Sequence, residues 1–66
     1  MTIEQALTEA RVARGLSQAE LARRAGVSRR TVVRYETELR GLGIERARAL
    51  AMELGLEVVV EVRAKP

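Results

Sequence analysis

Sixty-six residues with a net charge of +3 make one small domain. A chain this short buries a thin core and is marginal alone. It contains no Cys, His or Asp, which removes disulfide staples, the common zinc sites and the Ser-His-Asp and Cys-His nucleophile systems. The glutamates are scattered, so no set of acid, base and nucleophile can be assembled, and neither an enzyme nor a cofactor is expected. No signal peptide is visible, and no apolar run approaches the roughly 18 residues of a membrane span. A cytoplasmic chain without membrane contact is the expectation.

The charge is unevenly spread. Arg11, Arg14, Arg23, Arg24, Arg29, Arg30 and Arg34 face Glu20 alone between positions 11 and 34. That segment is +6, which leaves −3 for the rest of a +3 chain. A concentrated basic patch suggests a polyanionic partner; the bland alternative is a solvated arginine-rich surface.

Taken in order, the pattern holds four helices and one strand. Thr2 with Gln5 three residues on has the spacing of a capping box, so the first helix runs from Ile3 to about Arg14. Ile3, Leu7 and Ala10 share a face, and Gly15 ends the helix. Ser17 with Glu20 repeats the box and opens a second helix, Gln18 to Ala25, with Leu21 and Ala22 inward. Gly26 and Val27 follow, and Ser28 caps the third helix. The connection is about three residues, which suits a helix-turn-helix. The fourth helix runs from Ile44 to Glu53, after a loop marked by Gly41 and Gly43. Ile44, Ala47, Leu50, Ala51 and Leu54 recur at helical spacing, and Gly55 ends it.

The third helix, in the stretch "SRRTVVRYE", carries charges of the wrong sign at both ends. Two arginines open it where the dipole is positive, and Glu36 closes it where the dipole is negative. At about 100° per residue, Arg29, Val33, Arg30 and Arg34 share an arc of about 140°. Val32 and Tyr35 lie opposite, on the buried side. The arc begins at the end that a recognition helix points into the major groove. There a guanidinium matches O6 and N7 of guanine bidentately, and a valine suits a thymine methyl. An exposed helix that happens to be arginine-rich is the competing explanation.

The stretch "RVARGLSQAELARRAGVSRRTVVRYE", and much of the chain from Leu7 to Gly55, resembles the phage repressor and Cro family of helix-turn-helix domains. The resemblance implies a mainly α fold of four repressor-like helices; the family commonly ends with a fifth helix, where this chain departs from it and ends with one C-terminal β-strand expected to pair across a homodimer. The resemblance implies base contacts from Arg29, Arg30, Val33 and Arg34, and phosphate contacts from Gln18, Ser28 and Thr31, with Gln18 also bracing the recognition helix. Ala22, Gly26, Val27 and Val32 match the structural positions of the motif. It also implies a partly buried ion pair between Arg11 and Glu36, tying the first helix to the third. The loop "TELRGLGIE" lacks the family's usual Gly and Pro, which leaves Arg40 as the phosphate contact there. The helix-turn-helix domain spans 1–55, and 56–66 is a dimerisation strand and tail.

That tail, "LEVVVEVRA", changes period. Leu56, Val58, Val60 and Val62 alternate with Glu57, Val59, Glu61 and Arg63, which is a strand pattern. One strand cannot satisfy its own ladder. The ending resembles Cro-like phage regulators and persistence-type antitoxins, which dimerise through such a strand. The expected function is a dimeric, sequence-specific regulator of transcription, a repressor bound to a double-stranded operator of two half-sites. The alternatives are a type II antitoxin, which would add a toxin partner, and a protein-interaction module that does not read DNA.

Two identical antiparallel strands facing the same way place residue i opposite j with an even, constant sum. A centre at Val59 sets Glu57 against Glu61, which is unfavourable. A centre at Val60 sets Glu57 against Arg63 twice and Val58 against Val62. A centre at Val62 sets Glu61 against Arg63 but leaves half the strand unpaired. The Val60 register is therefore expected. Glu57→Arg should weaken the dimer in analytical ultracentrifugation, and Arg63→Glu added on the same chain should restore it. Failure of the second change to restore it would remove that register.

Overall fold

The computed structural model describes residues 1–59, 62 and 64. Four helices follow one another: α1 (Ile3–Ala13), α2 (Gln18–Ala25), α3 (Arg29–Thr37) and α4 (Ile44–Glu53). α2 packs on both α3 and α4, and α1 packs on α3.

Each of the first three helices begins on a hydroxyl. Thr2 accepts from the Gln5 N–H while the Gln5 side chain accepts from the Thr2 N–H. Ser17 and Glu20 repeat this reciprocal box at 3.0 and 3.1 Å. Ser28 caps α3 by accepting from the Thr31 N–H at 3.1 Å. Such caps satisfy amide donors that a helix start otherwise leaves open, each contributing about 1 kcal/mol.

α1, α2 and α4 end alike. Leu16, Val27 and Leu56 each donate a backbone N–H five residues back, to Arg11, Ala22 and Ala51. An apolar residue is thereby folded back toward the core just after the helix. At the second of these ends Gly26 takes φ +71°, a left-handed conformation costly for any side chain. The α2–α3 turn therefore needs only Gly26, Val27 and Ser28. α1 stops at Ala13, one residue before the expected end, because Arg14 serves as its C-cap. α3 continues one residue past Glu36 to Thr37, whose hydroxyl donates to the Val33 carbonyl at 2.7 Å.

The core is small and drawn from every element. α1 gives Leu7, the next turn Leu16, α2 Leu21 and Ala22, and α3 Val32 and Tyr35. α4 and its end give Ala47, Leu50, Ala51 and Leu54. Val32 and Tyr35 are the two residues that the helical wheel of α3 turns inward. Ile3, expected on the inner face of α1, lies at its exposed edge.

The strand expected in the tail is one that pairs between two copies. Among the described residues from 56 onward none is in a strand. Val58 packs against the core, Leu56 is at its edge, and Val62 is 93% exposed. Leu56, Val58 and Val62 thus do not form a single face over α4 within one chain. The physical reason is the ladder itself: a lone strand has no partner for its backbone groups. Val60, Glu61 and Arg63, which carry part of the expected register, lie outside the described residues.

The α2 box makes a prediction about pH. The Glu20 carboxyl is held below its ordinary value of 4.5, chiefly by the Ser17 N–H it accepts, then by the Ser17 hydroxyl, with Arg23 and Arg24 adding. A lowered folded-state pKa stabilises the fold above the unfolded value, and that contribution is lost as the pH falls through the folded one. Thermal denaturation should therefore show Tm falling as the pH drops below about 4.5, with part of that fall removed in Glu20→Gln. An unchanged acid slope in that variant would exclude the box as its source.

Candidate nucleic-acid interface

Arg29, Arg30 and Arg34 are exposed on α3. Among the described residues none of their guanidiniums is in an ion pair or side-chain hydrogen bond. Val33 lies half-buried between them in sequence and on the wheel. The arginine arc expected from the pattern is thus brought together, with its donors open to solvent.

The start of α3 is shaped by Ser28 and Thr31. Their hydroxyls are 2.9 Å apart, and one donates to the other. One hydroxyl proton is used in the pair, and the other remains free for an outside acceptor.

Behind this face lies a charged cluster. Arg11 Nε is 2.6 Å from Glu36 Oε2, and a second guanidinium nitrogen donates to Oε1 at 3.2 Å. The remaining terminal nitrogen of Arg11 donates to the Leu16 carbonyl at 2.8 Å. Gln18 Nε2 also donates to Glu36 Oε1, at 3.1 Å. The Arg11 and Glu36 side chains are only 13% and 6% exposed. The family likeness anticipates the pair and a bracing role for Gln18, but not the Leu16 bond. Gln18 therefore braces α3 through Glu36, with one amide proton still free.

Arg40 is exposed in the α3–α4 connection and lines a shallow groove with Arg34, Thr37 and Glu38. A larger open cleft of about 420 Å³ lies between α3 and the start of α4. Its wall includes Thr31, Arg34, Tyr35 and Arg46. Arg46 has no place in the motif reading. The one sequence signal for this region is Gly43, where the other three helices carry a hydroxyl cap.

A charge this buried costs several kcal/mol when one partner is removed, because the other is left unpaired. Arg11→Ala and Glu36→Ala should each lower stability by about 3 kcal/mol, and the double variant should cost clearly less than their sum. Urea denaturation of the four proteins checks this, and additive losses would take the pair out of the account.

The described residues contain no group of His, Cys, Asp or Glu that could hold a metal ion, and no helix long and apolar enough to cross a membrane. No curated protein and no solved structure matches the chain. A family model for the helix-turn-helix of Cro/C1 type matches residues 7–60, most of the chain. That span covers the capped turn, the arginine arc and the Arg11–Glu36 cluster, and the chain belongs to this helix-turn-helix family, whose fold is of the DNA-binding, transcription-regulator type.

Proposed function

We propose that the chain is a sequence-specific DNA-binding repressor that acts as a homodimer. The observation that carries this reading is the set of three unpaired guanidiniums on one face of α3. Arg29 and Arg30 stand at the helix start, where each is disfavoured by roughly 0.3–1 kcal/mol, and Arg34 lies in the last turn with no ion pair among the described residues. A guanine edge or a phosphate reverses that sign. In this reading Arg29, Arg30 and Arg34 contact base edges, and Val33 packs on a thymine methyl. Ser28, Thr31, Gln18 and Arg40 contact phosphates on either side, which fixes register without reading sequence.

The dimer rests on a different surface. Exposed apolar side chains gather where α1 begins, α4 ends and the tail departs: Ile3, Met52, Leu56 and Val59. A small apolar groove of about 110 Å³ lies there, walled by Ala6, Leu7, Ala51 and Val58 among others. The tail residues Leu56, Val58, Val60 and Val62 are the proposed contact with a second copy. Two recognition helices would then meet half-sites about one helical turn apart, ~34 Å. The same apolar surface is where a toxin would dock if the chain were an antitoxin.

Selection of bound duplexes from a random pool tests the DNA reading. Replacing a base-reading arginine of α3 with Ala should cost about 1–3 kcal/mol and relax preference at one position. Equal losses on selected and random DNA would make those arginines phosphate contacts only. Truncation after Gly55 should give a monomer in light scattering, with selected DNA bound little better than random. A truncated chain that stayed dimeric would move the interface elsewhere.

A further inference from the structure

The start of α4 is held differently from that of the other helices. In α1, α2 and α3 the carbonyls of the cap residues Thr2, Ser17 and Ser28 accept backbone N–H groups of Ala6, Leu21 and Val32. Their side chains cap as well. The cap of α4 is Gly43, which has no side chain to contribute. Its carbonyl instead accepts the Tyr35 hydroxyl at 2.6 Å. Tyr35 is 2% exposed and belongs to α3. Its ring is core, and its oxygen reaches out of the core to the cap residue of the next helix. The geometry therefore joins two functions in one side chain, and only the ring is needed for packing.

The connection that this bond closes is pinned at its other end too. Glu4 of α1 accepts the Leu39 N–H at 3.3 Å. Between these two anchors lie Arg40, Gly41 at φ +80° and Leu42, and the second anchor, Gly43, is itself a glycine. Glycine loses the most conformational freedom on folding, so such a segment is loose unless tied. Beyond it, Arg46 on α4 and Arg34 on α3 line the same open cleft. Glu45 lines that cleft as well, so it offsets one of the two arginines and leaves a net positive charge that attracts an anion.

We propose that Tyr35 is a positioning residue for the DNA backbone. Its hydroxyl sets the start of α4 against α3 and thereby holds Arg46 beside Arg34, so that a phosphate flanking the base-reading face meets Arg46. The inference rests on the DNA reading above and adds to it a contact, Arg46, and the group that aims it. Without the hydroxyl the ring still fills the core, α3 stays where Val32 and Glu36 place it, and base reading is untouched. What is lost is one aimed phosphate contact.

The test uses the full chain, a duplex selected from the random pool, and a random duplex. Each phosphate contact contributes about 0.9 to the slope of log affinity against log salt. Tyr35→Phe should shorten that slope by about 0.9 on both duplexes and leave the ratio of their affinities unchanged. Arg46→Ala should do the same, and the double variant should lose no more than either single change. Affinity is referred to the folded fraction measured by circular dichroism, so a purely structural role of the hydroxyl leaves the slope at its full value. A full slope in Tyr35→Phe, or additive losses in the double variant, would overturn the proposal. A changed affinity ratio would also overturn it, because the hydroxyl would then be aiming α3 itself. If Tyr35→Phe does not fold at the binding temperature, Arg46→Ala decides alone, and an unchanged slope there removes the contact that Tyr35 was to aim. A native chain with no preference for any duplex fails the DNA reading and this inference together. A native chain that selects a duplex, with variants that keep its slope, fails only the inference.

Discussion

The Glu36 carboxylate is the constraint on which the arrangement of α1, α2 and α3 depends. It is nearly buried and accepts three hydrogen bonds, two from Arg11 and one from Gln18. An ionised carboxylate in that position is tolerated only when its acceptor sites are filled. Filling them requires α1 to present Arg11, the first residue of α2 to present its amide, and α3 to end its third turn at the same point. Arg11 then spends its remaining reach on the Leu16 carbonyl, which fixes the α1–α2 connection as well. No buried side-chain nitrogen or oxygen among the described residues is left without a partner. A core of four leucines, three alanines, a valine and a tyrosine, with Leu16 at its rim, has few large side chains to interlock. Apolar packing of that kind resists collapse better than it resists sliding. The directional bonds at Glu36 supply the register that such a core lacks.

The same cluster accounts for the sign of the charges along α3. A glutamate near the C-terminus of a helix is disfavoured by the dipole, and Arg11 more than offsets this at 2.6 Å. The arginines at the other end have no such partner in the chain. Ser28 caps the helix and contributes about 1 kcal/mol, which offsets part of their cost and leaves the guanidiniums themselves unmatched. One end of α3 is thus satisfied inside the fold, and the other only by something outside it. That division is what a helix held firmly at its C-terminal half and read at its N-terminal half requires. Stability and binding draw on opposite ends, so changes at one need not disturb the other.

The helices were legible because their signals are local. Thr2 with Gln5, Ser17 with Glu20, Ser28, and the glycines at 15, 26 and 55 bound them to within a residue. The spacing of Val32 and Tyr35 told the inner side of α3 from the outer. Arg11 and Glu36 became visible as a pair only through the family likeness, since nothing local links positions 25 residues apart. Bonds that depend on how helices cross stayed hidden. Leu39 on Glu4 and Tyr35 on Gly43 each join groups that no periodicity relates, and the likeness implied that Gln18 braces α3 without showing that Glu36 receives its bond. Arg46 was hidden for the same reason: its neighbour Arg34 is on another helix. The tail is the opposite case. Its period-two pattern is plain, yet a strand is a relation between two segments, and one chain supplies a single segment.

The molecule therefore has two incomplete surfaces of different chemistry. The outer face of α3 lacks anions, and the start of α1, the end of α4 and the tail lack an apolar cover. Each unburied apolar side chain there forgoes about 25 cal/mol for every Å² that a partner could remove from water. Side chains as exposed as Met52, Val59 and Val62 make that a gain of a few kcal/mol for a pair of copies. A gain of that size is modest against the freedom lost when two chains associate. A dimer built on it alone would be weak, and backbone pairing between the tails would be needed to fix its geometry. A duplex bearing two half-sites would add to the same balance, because two α3 helices bound to one DNA hold their tails at high effective concentration. In the proposed dimer, assembly and recognition would be thermodynamically linked: whatever the dimer contributed to DNA affinity, DNA would return to the dimer.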